Sequence, residues 1–151
     1  MALQTESQLD KVDWRILEAL QRDCRLSFSA LARLLHNSAP TVAARIRRME
    51  DAGIITGYRV SLAPEKIGYA LTAIIRVSAP EENCIALAKL IRDLPGVVES
   101  HRVTGVDRLI IKVVALSVEK LDDLVRRLSQ YGTATVAITL SQHTNSVRCP
   151  S

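Results

Sequence analysis

The chain has 151 residues, of which 48% are hydrophobic and only 3% aromatic, and its formal net charge is +4. A chain of this length buries on the order of two-thirds of its unfolded surface, enough for one domain or two small ones on an aliphatic core. No apolar run approaches the roughly 20 residues that a membrane helix needs.

The start, MALQTESQLDKV, has neither the basic beginning nor the apolar core of a signal peptide. Cys24, Cys84 and Cys149 are an odd, scattered set with no Cys-x-x-Cys pair, so neither a disulfide framework nor a zinc site is expected. A reducing cytoplasm is the expected compartment. No metal and no cofactor is called for. The two parts of the chain on either side of Ala63 carry equal net charge, so local clustering has to locate any anionic partner.

A first helix is predicted over about Lys11 to Arg22. Asp10 is its N-cap, Asp13 stands at the third helical position, and Leu9 can staple against Trp14. Its inner stripe is Val12, Ile16 and Leu20, with Leu17 alongside. A second helix follows Ser27 and is expected to bury Ala30, Leu31, Leu34 and Leu35. A third starts at Ser38, with Val42, Ile46 and Met49 on its inner face and Thr41, Arg45, Arg47 and Arg48 turned outward.

Between Asp23 and Glu50 there is no acidic residue, while five arginines (25, 33, 45, 47 and 48) fall inside the gap. Small residues at a helix start followed by arginines along its side suit a DNA major groove. Three helices in this order predict a helix-turn-helix that binds double-stranded DNA, with Ser38, Pro40, Thr41, Ala44, Arg45, Arg47 and Arg48 as its contact residues. The plainer reading is a helical hairpin with a solvated basic face. Gly53 stops the third helix. Ile54, Ile55, Tyr58 and Val60 around Gly57 are expected to form a short strand pair, a wing. Residues 1–60 are assigned to this domain, 61–69 (SLAPEKIGY) to a connector, and 70–151 to a second domain.

From Ala70 the period changes. ALTAIIRVS reads as a strand, EENCIALAKLIRDLPG as a helix with stripe Cys84, Leu87, Ile91 and Leu94, and VVESHRVTG and LIIKVVAL as two more strands. SVEKLDDLVRRLSQYG is a helix capped by Ser117 with stripe Leu121, Leu124, Val125 and Leu128. TATVAITLS closes as a strand with Val136, Ile138 and Leu140 on one side. The order strand, helix, strand, strand, helix, strand is the ferredoxin-like arrangement, giving an α+β fold of four antiparallel strands with both helices on one face. The uncovered face, which includes Ile74, calls for a second copy of the chain, although antiparallel sheets also tolerate one wet face.

The segments LDKVDWRILEALQRDCRLSFSALARLL, SAPTVAARIRRMEDAGIITGY and LPGVVESHRVTGVDRLIIKV, in this order, resemble the leucine-responsive and asparagine-responsive (Lrp/AsnC) regulators, and the match runs from Leu9 to Ser146. The resemblance implies a transcription regulator with an N-terminal winged helix-turn-helix. It also implies a C-terminal domain that binds a small effector, often an amino acid, and assembles homodimers into tetramers or octamers. The family's effector cavity maps onto Val103, Thr104, Gly105, Val106, Asp107 and Arg108, together with Thr135. The family's loop reads Gly-x-x-Asp, whereas here Arg108 fills the acid's slot and Asp107 precedes it. Asp107 and Arg108 could grip both ends of a zwitterion, or they are ordinary turn residues.

Catalysis has little support, because His36, His101 and His143 lie in separate elements with no nucleophile motif. Some relatives of this fold act as tetrapyrrole (siroheme) decarboxylases. Those are expected to have a degraded recognition helix, and the arginine-rich third helix here is intact.

Overall fold

A computed structural model describes residues 9–141 and 147–149. The chain divides into two compact units, 1–60 with 143–151, and 61–142. The tail residue Val147 thus belongs with the first unit, where its backbone exchanges two hydrogen bonds of 2.8 and 2.9 Å with the Gln21 side-chain amide. The sequence reading had put it with the second. The first eight residues and His143 lie outside the described residues.

In the first unit, α1 (Lys11–Arg22), α2 (Phe28–Leu35) and α3 (Ala39–Asp51) pack around Ile16, Leu31, Leu35, Val42, Ile46 and Met49. Each fully buried aliphatic side chain contributes about 1.5–3 kcal/mol. Every helix begins on a polar cap, as the sequence indicates. Asp10 accepts the Val12 and Asp13 amides in a capping box, Ser27 accepts that of Ala30, and Ser38 accepts that of Thr41.

The stripes differ from expectation in two places. In α1 the buried positions are Asp13, Ile16 and Ala19, one step round from the stripe expected, with Val12 and Leu20 only half-buried. In α2 it is Ala32 that goes in, while Leu34 is 55% exposed. A helix of only eight residues has room for little more than one buried i, i+1, i+4 set. The expected wing is also absent. Residues 54–60 contain no strand. Gly53 (φ +69°) turns the chain, the Ile54 and Ile55 amides both close back on the Met49 carbonyl, and the segment folds against the helices through Ile55 and Tyr58.

In the second unit, β1 (Leu71–Ser78), β2 (Val97–Arg102), β3 (Leu109–Ala115) and β4 (Thr133–Ile138) form one antiparallel sheet in the order β2-β3-β1-β4. α4 (Cys84–Asp93) and α5 (Val118–Leu128) supply Leu87, Ile91, Leu121, Leu124 and Leu128 to a core shared with Ala73, Ile75, Val77, Ile111 and Val113. Alternation puts Thr72, Ile74, Arg76 and Ser78 of β1 on the other face, with Ile110, Lys112 and Val114 of β3 beside them. Val136 and Ile138 share the side of the core residues but stay exposed, because β4 is an edge strand.

One backbone approach sets the entry into β2. Gly96 has φ +85°, its carbonyl accepts the Val114 amide at 2.8 Å, and a Cβ there would lie 2.5 Å from the Val114 carbonyl oxygen. The register then slips by one residue between Val97 and Glu99. Gly96→Ala is expected to cost about 1–3 kcal/mol, from a left-handed alanine held against backbone. Urea denaturation of the full chain checks this, and an unchanged midpoint would show that β2 can shift to make room.

Candidate nucleic-acid interface and effector loop

The turn between α2 and α3 is short. His36 adopts a left-handed conformation (φ 52°), and Asn37 donates its amide to the Ala32 carbonyl at 2.9 Å. Ser38 then starts α3, its hydroxyl 2.7 Å from that of Thr41. Pro40 in the first turn suits a position whose amide has no helical partner. With Val42, Ile46 and Met49 buried, the exposed side of α3 is Pro40, Thr41, Ala44, Arg47 and Arg48.

Arg45 departs from the expectation that it faces a groove. Its guanidinium lies 2.6 Å from Asp10 and 2.9 Å from Asp13, and the side chain is only 26% exposed. Arg48 also reaches Asp13, at 2.5 Å, although 54% of its side chain stays in solvent. Asp13 is fully buried. Its carboxylate binds Arg45 and Arg48, two of the three arginines of α3, and also accepts the Asp10 amide at 3.1 Å. The physical reason is geometric. Positions 45 and 48 are one turn apart, so both side chains descend on the same point of α1.

Sequence reasoning placed Asp13 in the capping box and missed this second role. The available signal was an acid at i with Ile16 at i+3 and Ala19 at i+6, a carboxylate on the inward side of an amphipathic helix. The Asp13 backbone amide and the Arg45 guanidinium hold the Asp10 carboxyl below its usual value of 3.8, and the same pairing raises Arg45. Tyr58, partly desolvated and donating to Glu50 at 2.8 Å, is pushed up to about 12.

In the second unit the loop after β2 is tied at both ends. The Val103 amide donates to the Arg108 carbonyl (3.0 Å), the Arg108 amide to Val77 (2.8 Å), and the Ser78 hydroxyl to the Val106 carbonyl (3.0 Å). Thr104, Gly105 (φ +110°) and Val106 form the exposed tip. The two loop charges diverge. Asp107 pairs with Arg76 at 3.7 Å on the open face of the sheet, whereas Arg108 turns to Glu81, just before α4, at 3.6 Å. Thr135 sits in register opposite Arg76. The structure therefore groups Asp107 with Arg76 and Thr135, and it separates Arg108 from them. Arg76 was not among the expected residues.

Among the described residues no cluster of three or more His, Cys, Asp or Glu could hold a metal ion, and no helix is long and apolar enough to cross a membrane. His36 ends α2, and His101 pairs with Glu99 at 2.7 Å.

The model of the AsnC-type helix-turn-helix domain matches residues 9–50, and that of the Lrp/AsnC ligand binding domain matches residues 72–148. The chain belongs to the Lrp/AsnC family. An uncharacterized HTH-type transcriptional regulator of Bacillus subtilis, YezC, is 36% identical over 133 residues, covering 88% of this chain and 94% of the relative. Regulatory protein AsnC of Escherichia coli is 34% identical, covering 78% of each. B. subtilis LrpC superposes with a TM-score of 0.86 at 27% identity, over 92% of this chain and 99% of that one. A Neisseria meningitidis transcriptional regulator, solved as its L-Met complex, gives 0.84 at 28% identity over 94% and 96%. This Lrp/AsnC chain is thus a transcriptional regulator in which a DNA-binding unit precedes a ligand-binding one.

Two variants test the arginine clamp. Asp13→Ala leaves Arg45 and Arg48 without their shared anion. Breaking a buried pair costs about 3–5 kcal/mol, and because Arg48 can return to water, the loss of stability in urea is expected near the lower end. A loss below about 1 kcal/mol would mean that the pairing does not hold α1 to α3. Asp10→Asn keeps a capping oxygen but removes a titration. A carboxyl with a lowered folded pKa adds stability that is present above its unfolded value of 3.8 and is lost as pH falls through the folded value. Below about pH 4 the wild type should therefore lose stability more steeply than the variant, and parallel curves would discount the pair.

Proposed function

We propose that this regulator reads duplex DNA through the exposed side of α3 and that its DNA affinity responds to an amino acid held at the loop of residues 103–108. The observation that carries the DNA reading is the division of labour on α3. Arg45 is held by carboxylates of α1, while Pro40, Thr41, Ala44 and Arg47 remain exposed along the helix ahead of its two acids, Glu50 and Asp51, which are confined to the last turn. Arg47 is then the side chain that meets bases or phosphates, Arg48 reaches phosphate with the part it keeps in solvent, and Ser38 approaches the backbone at the helix start.

On the effector side, Asp107 would receive an ammonium group and Arg76 a carboxylate, a pairing in which Arg76 takes the place first given to Arg108. Thr135, in register opposite Arg76, stands beside that pair. The L-Met complex of the N. meningitidis relative supports an amino acid as the ligand class. The open sheet face, where Ile74 and Ile110 stand diagonally between Arg76 and Lys112, supports a homodimer or an even multiple of it. A cytoplasmic, non-enzymatic role follows from this reading, and no observation favours the decarboxylase alternative.

The experiment is a mobility shift with DNA from upstream of the protein's own coding sequence, with and without a panel of amino acids, beside light scattering of the free protein. Arg47→Ala should weaken binding by about 1–3 kcal/mol, or roughly ten- to hundred-fold, while leaving the fold intact. Asp107→Ala should remove the amino-acid response without changing binding in its absence. A folded Arg47→Ala that binds like wild type would overturn the assignment of α3. A response unaltered by Asp107→Ala would overturn that of the loop.

A further inference from the structure

We propose that a cavity of about 550 Å³ between α4 and the start of β3 binds a small polyanion, a ligand carrying phosphoryl groups or several carboxylates. Its volume falls within the range of small-molecule sites. Four cations line it, Lys89 and Arg92 from α4, Arg102 from the end of β2 and Arg108 from the loop, against one acid, Glu81. Buried Cys84 and Leu109 add apolar wall.

The arrangement of Glu81 shows how an anion is received. One of its carboxylate oxygens lies 2.5 Å from Arg102 Nη2 and the other 3.6 Å from Arg108 Nη1. A single carboxylate thus spans two guanidiniums, as an oxyanion does when held between two arginines. It neutralises only part of the site. Lys89 and Arg92 stand three residues apart on α4, line the same cavity, and have no ion-pair partner among the described residues. Like charges converging at a partly apolar wall repel one another more strongly than they do in free solvent, and a multivalent anion removes that cost.

The cavity at the other end of β3, about 530 Å³, provides the contrast. It too has more cations than acids, Lys120, Arg126 and Arg127 beside Asp123, but there Arg126 is held on its own helix by Asp122 and Asp123, whereas Glu81 bridges arginines from two different segments. The cationic cavity is also separate from the proposed amino-acid contacts, since Asp107 and Arg76 meet on the open face of the sheet and Glu81 lies on the helix side. A neutral zwitterion would leave the excess positive charge unanswered, so the ligand must bring net negative charge.

The test is calorimetric titration of the full-length protein at low salt with pyrophosphate and with citrate, and separately with L-methionine. One anion per chain is expected to bind. Pyrophosphate alone would assign a phosphorylated ligand and citrate alone a polycarboxylate. Arg92→Gln and Arg102→Gln should each weaken anion binding by about ten-fold or more, and Glu81→Gln should strengthen it by freeing both guanidiniums. Any heat from L-methionine should be the same in wild type and Arg92→Gln. Absence of binding by both anions, or an Arg92→Gln, Arg102→Gln double variant that is folded by circular dichroism yet binds like wild type, would overturn the site. Displacement of pyrophosphate by a short DNA duplex would overturn the small-ligand assignment in favour of a nucleic-acid backbone.

Discussion

The carboxylate of Asp13 is the point on which the helical unit is organised. It lies out of contact with water and takes a guanidinium from Arg45 and another from Arg48, while its backbone amide donates to Asp10 at the start of the same helix. An ionised group in such a place is tolerated only when its lone pairs are satisfied, and here they are satisfied by α3 and by the α1 cap. The interaction is directional, unlike the aliphatic contacts of Ile16, Leu31 and Met49, which a helix could keep while rotating about its axis. Two arginines one turn apart on a single anion leave little freedom of rotation, so the azimuth of α3, and with it the side it presents outward, follows from one residue of α1.

The sheet unit is ordered by a different constraint, the alternation of its strands. Its core is wholly aliphatic, and the polar chemistry is displaced to the ends of strands, where Ser78, Arg102 and Arg108 meet the connecting segments. Helices on one side and charged residues at the ends are what a four-stranded antiparallel sheet permits when two helices cannot cover both faces. Both units thus rest on apolar packing, to which the helical one adds a buried ion pair that fixes the orientation of α3.

Much of this was legible in the sequence because it is periodic or local. The caps at Asp10, Ser27, Ser38 and Ser117 and the stripes of α3, α4 and α5 depend on residues within one or two turns. The strand alternation from Leu71 to Val77 has the same short range. Arg45 was read as outward from its charge, although on α3 it stands three residues after Val42 and four before Met49, at the border of the buried stripe. What drew it inward is more than thirty residues away, and no single-helix pattern contains that partner. The pairing of Asp107 with Arg76 was hidden likewise, because strand register decides which side chain of β1 the loop meets. The wing was read from apolar spacing that instead serves to dock Ile55 on the helical core and to place Tyr58 against Glu50.

Asp107 and Arg108 are joined by one rigid peptide plane and lean to opposite sides of the sheet, with the Arg108 amide fixed to the Val77 carbonyl between them. A planar unit cannot bend at its middle. If the chain twists there to draw Asp107 away from Arg76, the same twist changes the angle at which Arg108 addresses Glu81. The hydrogen bond to Val77 then serves as a fulcrum. The proposed amino-acid contacts and the cationic cavity thus adjoin at a single peptide of this sheet edge, each reached by its own side chain.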